Sequence, residues 1–184
     1  LEEVVRDVGP EYVSVFVAEP IAGGARTNSG AGPGDRYFEV VREICDEYDI
    51  LLLADEIITG MGRTGENFAM EHWDVLPDVF VTAKGMSAGY TPLGGAMPRD
   101  RVAEAFADDE GFTHGHTFSF HPVSCAIAKT VLDYVRRNDL VANAAEVGAY
   151  LHDRASSLYE YDFVGDVRGK GLMLGVEFVE DRET

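Results

Sequence analysis

The sequence predicts an α/β fold built on a mainly parallel sheet, and two observations lead to that expectation. Apolar, β-rich runs at Tyr12 to Ala18, Ile50 to Ala54 and Asp78 to Ala83 alternate with segments of helical period, the pattern of strand, crossover and strand. Each run is apolar along most of its length, as buried strands are.

The remaining elements follow in chain order. Between the first two strands, Tyr37, Val40, Val41, Ile44 and Tyr48 recur at helical spacing behind Gly34-Asp35, which reads as a helix start. Val123, Ile127, Val131 and Val135 line a second helix, and Leu140, Ala144, Val147, Leu151 and Leu158 a third. Near the end, Phe163 to Val167 and Leu172 to Val179 read as strands around Arg168-Gly169-Lys170-Gly171. With 184 residues, 46% of them hydrophobic, the chain is long enough to bury the core of about one domain. It carries no repeat, low-complexity segment or flexible linker.

Charge excludes some partners. Against 33 Asp and Glu stand 15 Lys and Arg, a formal net charge of -18, and such a field repels nucleic acid and anionic membranes. Only Lys84, Lys129 and Lys170 are lysines. An acid-rich, lysine-poor surface suits a protein whose self-repulsion is screened by molar salt, so a halophilic source is expected. No run of about 20 apolar residues is present. Leu1-Glu2-Glu3-Val4-Val5-Arg6 lacks the basic start and apolar stretch of a secretory signal, so a cytoplasmic location is expected. Cys45 and Cys125 are far apart, which indicates neither a disulfide framework nor a zinc site and places both in the core.

Four places could carry chemistry. Ile50-Leu51-Leu52-Leu53-Ala54-Asp55-Glu56 is an apolar strand ending in two acids; ligands of open α/β sheets sit beyond the carboxyl ends of strands. Gly60-Met61-Gly62-Arg63-Thr64-Gly65 matches the glycine pattern of dinucleotide sites letter for letter. That pattern needs its first glycine directly after the strand and an acid at the next strand's end. Here Asp55 to Thr59 intervene and the next strand ends in Thr82-Ala83-Lys84, so a nicotinamide site is disfavoured.

The second place is that lysine, Lys84, among the small residues Ala83, Gly85, Ala88, Gly89, Gly94 and Gly95, which leave room for a ligand against the backbone. Strand, crossover and strand bring Asp55 and Lys84 to one sheet edge, with neighbouring strands about 5 Å apart. A pyridine ring can bridge such a pair, the acid at its nitrogen and the lysine at its aldehyde carbon. The third place is Thr113 to His121. His114, His116 and His121 lack an acid or cysteine in the run to complete a metal set, whereas Thr117 and Ser119, ahead of a helix starting near Pro122, could offer hydroxyls to a phosphate. The fourth is Glu19-Pro20 at the first strand's end, where a buried acid must find a cation or a proton.

Glu19-Pro20, Asp55 to Gly60 with Gly62-Arg63-Thr64-Gly65, Ala83-Lys84-Gly85 with Gly89 to Gly95, Gly115 to Ser119, and Arg168 to Leu172 resemble class III aminotransferases in order and spacing, over essentially the whole chain. The resemblance implies the large domain of the pyridoxal 5'-phosphate (PLP) transferase fold over residues 1–161 and the start of a small C-terminal α+β domain over 162–184. It implies PLP as cofactor, Lys84 as the lysine that carries it, Asp55 at the pyridine nitrogen and Ile57 on a ring face. Thr117 would bind the phosphate of the neighbouring subunit's cofactor, making the protein a homodimer, and Glu19 would pair with a substrate-handling arginine. The implied reaction moves an amino group from an amino acid or amine to a keto acid. Aminomutases, racemases and decarboxylases of the same family are the alternatives, as is an inactive fragment. Isoleucine at 58, where many members carry glutamine, resembles the subgroup that uses ω-amino acids or amines with pyruvate. The family's upstream phosphate loop, ring-stacking aromatic and C-terminal arginine have no counterpart, so the chain is expected to be an internal fragment, inactive alone.

Overall fold

A computed structural model describes residues 1–22, 34, 36–107 and 111–182. Its main sheet has four strands in the order β1 (Val15–Ala18), β2 (Leu51–Asp55), β3 (Val79–Thr82) and β4 (Gly95–Pro98). The first three are parallel, and β4 runs antiparallel to β3, pairing Thr82 with Gly95 and Val79 with Pro98. The parallel sheet is as expected. β4 is not, because Gly95-Ala96-Met97-Pro98 is short and small-sided and acquires strand character only by pairing along β3. The first strand is shorter than the apolar run: Tyr12 belongs to a 3₁₀ turn, Pro10–Tyr12, and is exposed.

The central strand β2 presents alternate residues to the core. On β2, Leu52 and Ala54 are fully buried, while Leu51, Leu53 and Asp55 on the opposite face are half-buried. Helix α2 (Tyr37–Glu47) covers the buried face with Phe38, Val41 and Cys45. The helix is present as expected but its inward face is rotated, since Tyr37 and Val40 point outward. Two adjacent apolar pairs, Tyr37-Phe38 and Val40-Val41, leave the phase ambiguous in sequence; the edge-on contact of Phe38 with Trp73, centroids 5.1 Å apart, matches the phase adopted. Asp35, half of the expected helix start, lies outside the described residues. A short helix α1 (Glu2–Val8) buries Val5 in the same cluster, and α3 (Asp100–Ala103) follows β4.

Helices α4 (Pro122–Arg137) and α5 (Leu140–Ala155) are broken at Asn138-Asp139, where Asp139 takes a left-handed conformation, φ 51°. Proline at the first position and the His121 ring Nδ1, accepting from the Ser124 N–H at 3.4 Å, start α4. The expected inward stripes differ from the observed ones: Ser124 and Ala128 are the buried residues of α4, and Ala144, Gly148 and Ala155 those of α5, while Val123 and Val147 are exposed. Leu158 lies past α5, in a 3₁₀ turn over Ser156–Glu160. Of the cysteines, Cys45 is in the core; Cys125 is exposed, contrary to expectation.

The chain ends in a hairpin of β5 (Val164–Lys170) and β6 (Met173–Phe178). Arg168-Gly169-Lys170 is strand, not turn, and only Gly171-Leu172 reverses the chain. Gly171 has φ 55° and lies so close to the Gly62 to Gly65 loop that a Cβ on it would stand 2.3 Å from the Thr64 carbonyl carbon. The Leu172 N–H donates to the Arg63 carbonyl at 3.0 Å, so the hairpin tip is fastened to that loop.

Candidate active site

Asp55 is the last residue of β2 and pairs in register with Val81 of β3. Lys84 stands three residues beyond Val81, so the acid and the amine emerge at the same carboxyl edge from neighbouring parallel strands. Lys84 is not on the strand itself: β3 stops at Thr82, and Lys84 opens a 3₁₀ turn, Lys84–Ser87, with φ 36°. A left-handed conformation is uncommon for a side-chain-bearing residue, and such strain gathers at functional sites. The Lys84 side chain is exposed and Asp55 half-buried.

Asp55 Oδ1 accepts from the Ile57 N–H at 3.0 Å, closing a tight turn that fixes Ile57 next to the acid. Glu56, between them, points the other way and is buried. Its Oε2 accepts from the Thr59 hydroxyl and from the Ala69 N–H at 3.0 Å, and its Oε1 from the Met70 N–H at 2.9 Å. Burial pushes the Glu56 carboxyl pKa up, and these three donors pull against that.

A cavity of about 550 Å³ reaches Lys84, walled by Ile58, Met61, Arg63, Leu172 and Met173 among others. Asp55, Ile57, Glu19 and Thr117 do not line it. A larger, mostly apolar cavity of about 1030 Å³ along α4 contains none of the expected site residues. Glu19 follows β1 and is exposed, not buried as expected, because β1 is an edge strand of the described sheet. Thr117 is exposed in the turn ahead of α4; its neighbour Ser119 accepts the His116 N–H at 2.9 Å. No group of three or more His, Cys, Asp or Glu that could hold a metal occurs among the described residues.

A polar chain absent from the sequence reading joins the lysine turn to α4. The Ser87 hydroxyl donates to the Thr91 carbonyl at 2.6 Å, and the Thr91 and Ser124 hydroxyls lie 2.8 Å apart. Nothing in the spacing of residues 87, 91 and 124 announces it.

The glycine pattern at Gly60 to Gly65 serves packing. A Cβ on Gly60 would stand 2.8 Å from the Glu56 carbonyl oxygen, and one on Gly65 3.0 Å from Ala145 of α5. The donors present suit pyridoxal phosphate: a carboxylate for a ring nitrogen and a primary amine for an aldehyde carbon, at one sheet edge.

Comparison with known proteins shows which proteins this chain is similar to. A putrescine–pyruvate aminotransferase of Pseudomonas aeruginosa is 39% identical over 100% of this chain and 40% of its own length. A diaminobutyrate–2-oxoglutarate transaminase of Halomonas elongata is 38% identical over 98% of this chain and 39% of its own. The crystal structure of a thermostable (S)-enantioselective omega-transaminase from Thermomicrobium roseum superposes with a TM-score of 0.92 at 44% identity, covering 99% of this chain and 40% of that one. The chain therefore spans about two-fifths of the length of the relatives it matches. The family model described as aminotransferase class-III matches residues 1–184, and the chain belongs to that family.

Proposed function

We propose that the protein of which this chain is part transfers an amino group from an amine or amino acid to a keto acid, using PLP. The observation that carries the reading is the emergence of Asp55 and Lys84 at one edge of adjacent parallel strands. Bound PLP supplies an electron sink for the bond broken at the donor's α-carbon. Asp55 provides the negative charge that keeps a proton on the pyridine nitrogen. Lys84 would hold the cofactor through its amine and would also serve as the base that takes and returns a proton. Ile57, fixed by its N–H to Asp55, would pack on the bound ring.

Thr117 is assigned to the phosphate of a neighbouring subunit, in a homodimer. Its exposure and that of Phe118 and Phe120, at 79% and 93%, support a partner there. Glu19, exposed beyond β1, is assigned to a substrate-handling arginine elsewhere in the whole protein. Ile58 and the putrescine–pyruvate relative favour an amine donor with pyruvate as acceptor. The acidic, lysine-poor composition supports a halophilic enzyme, to which a cytoplasmic location is assigned, and no helix of the described residues is long and apolar enough to cross a membrane.

The test is amino transfer by the full-length protein loaded with PLP, offered diamines, ω-amino acids and α-amino acids with pyruvate or 2-oxoglutarate. Alanine formed from pyruvate at the expense of an amine is expected. Racemisation or decarboxylation without amino transfer would overturn the reading.

A further inference from the structure

We infer that Glu56 is the positioning residue for the strand end that bears Asp55 and Ile57: its buried carboxylate locks the loop leaving β2 and so fixes where Asp55 meets a ring nitrogen. The inference rests on the assignment of Asp55 proposed above.

Consecutive acids at the end of β2 have opposite fates. Asp55 is half-buried and takes one backbone N–H, that of Ile57. Glu56 is 1% exposed, and both its oxygens are spent inward on the Thr59 hydroxyl and the Ala69 and Met70 N–H groups. It forms no ion pair among the described residues. Burying a carboxylate with no cation is costly, and donors that converge on it offset the cost. Here they come from two distant stretches. Thr59 lies in the loop just after β2, while Ala69 and Met70 open the 3₁₀ turn Ala69–Trp73, whose first N–H groups have no partner within the turn. The backbone of Glu56 is held as well: its N–H donates to Val81 of β3 at 2.9 Å and its carbonyl accepts from Gly60 at 2.9 Å. One residue therefore ties β3, the loop and the turn together. Because 55, 56 and 57 are consecutive, rotation of the Glu56 peptide carries Asp55 and Ile57 with it.

Charge and shape are both required. In either orientation glutamine would set its NH₂ group against a backbone N–H donor, that of Ala69 or that of Met70, and aspartate is one methylene too short to reach both Thr59 and the turn. Thr59→Val removes a single donor at constant volume, which gives a milder variant that should fold. Trp73, the only tryptophan of residues 1–184, ends the capped turn.

The experiment compares full-length wild type with Glu56→Gln, Thr59→Val and, as a control for general destabilisation, Arg101→Gln, which loosens the buried Asp78 cluster instead. Two quantities are read: hydrogen exchange of the Ile57, Gly60, Ala69 and Met70 amides in apo-protein, and the dissociation constant for PLP with the absorbance of the bound cofactor. Expected are exchange at least tenfold faster at these amides and PLP binding at least tenfold weaker with a shifted band in Glu56→Gln, smaller changes of the same sign in Thr59→Val, and neither change in Arg101→Gln. If Glu56→Gln does not fold, Thr59→Val decides. Unchanged exchange and PLP affinity in folded Glu56→Gln or Thr59→Val would overturn the inference, as would an equal loss of PLP in Arg101→Gln. A wild type that takes up no PLP would refute the site assignment instead, and the exchange arm would still decide whether Glu56 locks the strand end.

Discussion

Leu52 and Asp78 are joined by two hydrogen bonds: the Asp78 N–H donates to the Leu52 carbonyl at 2.8 Å, and the Leu52 N–H donates to Asp78 Oδ2 at 2.8 Å. A side-chain carboxylate thus adds a rung to the β2–β3 ladder at the end of the sheet away from Asp55 and Lys84. Asp78 is fully buried and also takes Arg42 from α2 at 2.8 Å and Arg101 from α3. Burial alone would raise its pKa, but the Leu52 N–H and the Arg42 and Arg101 guanidiniums outweigh it and hold the carboxyl below its ordinary value.

Acid stability should depend on this cluster. An aspartate whose folded pKa is depressed contributes stability that is complete above its unfolded value, about 3.9, and lost as pH falls through the folded value. Urea titrations are expected to show stability falling below about pH 4 in the wild type. Asp78→Ala should cost about 3–5 kcal/mol at pH 7, because it leaves Arg42 and the Leu52 N–H without their buried acceptor. A pH profile for Asp78→Ala as steep as the wild type's would show that other carboxylates govern the acid limb.

The two central strands were legible because they are apolar along their length and end in polar residues. The Asp55 and Lys84 edge followed, since parallel strands joined by a crossover must place their carboxyl ends together. What was hidden depended on contacts rather than composition. β4 exists by pairing with β3, and the phase of α2 goes with Phe38 meeting Trp73. The Ser87, Thr91 and Ser124 link joins residues that no periodicity relates. Val123 sits in an apolar stripe at helical spacing and Cys125 lacks the spacing of a disulfide or zinc ligand, which points both inward, yet both are exposed on α4. The strand-end position of Glu19 suggests burial, but it is exposed just past β1, an edge strand of the described sheet.

If Lys84 carries PLP, borohydride treatment of the full-length holoenzyme should leave cofactor on the peptide containing Ala83-Lys84-Gly85, identified by mass spectrometry. Lys84→Ala should lose that label and amino transfer together. Cofactor found on Lys129 or Lys170 would refute the assignment.

Gly171 packs the tip of the terminal hairpin against the Thr64 backbone. Alanine there must hold a left-handed φ of 55° and place its Cβ against the Thr64 backbone. Left-handed geometry costs an alanine about 1–2 kcal/mol, and the clash adds to that. Gly171→Ala is expected to lower the Tm and to alter Trp73 fluorescence, because the Lys170 ammonium lies 5.5 Å from the Trp73 ring centre and would move with the hairpin tip. A variant with unchanged Tm and emission would mean that the loop at Thr64 yields freely.

The charge balance leads to a prediction about salt. Of the 15 Lys and Arg residues, many are already committed: Arg6 to Glu2, Arg42 to Asp46 and Asp78, Arg168 to Asp166 and Glu177, and Lys129 to Asp133. The acids still outnumber the bases by 18, so the excess charge is uncompensated. Salt weakens the exposed pairs, each worth about 0–1 kcal/mol, and also weakens the mutual repulsion of the net charge of -18. Repulsion involves many more partners, so screening should stabilise the fold. The Debye length falls from about 10 Å at 0.1 M to about 3 Å at 1 M, which places most of the expected rise in Tm below about 1 M potassium chloride. Strengthened burial of apolar surface by an excluded salt would instead continue to raise the Tm beyond that concentration and be larger in sulfate. Melting curves of the full-length protein in both salts separate the two causes: a rise that levels off near 1 M and is matched in the two salts at equal ionic strength supports charge repulsion. A flat or falling Tm in chloride would remove the case for salt adaptation.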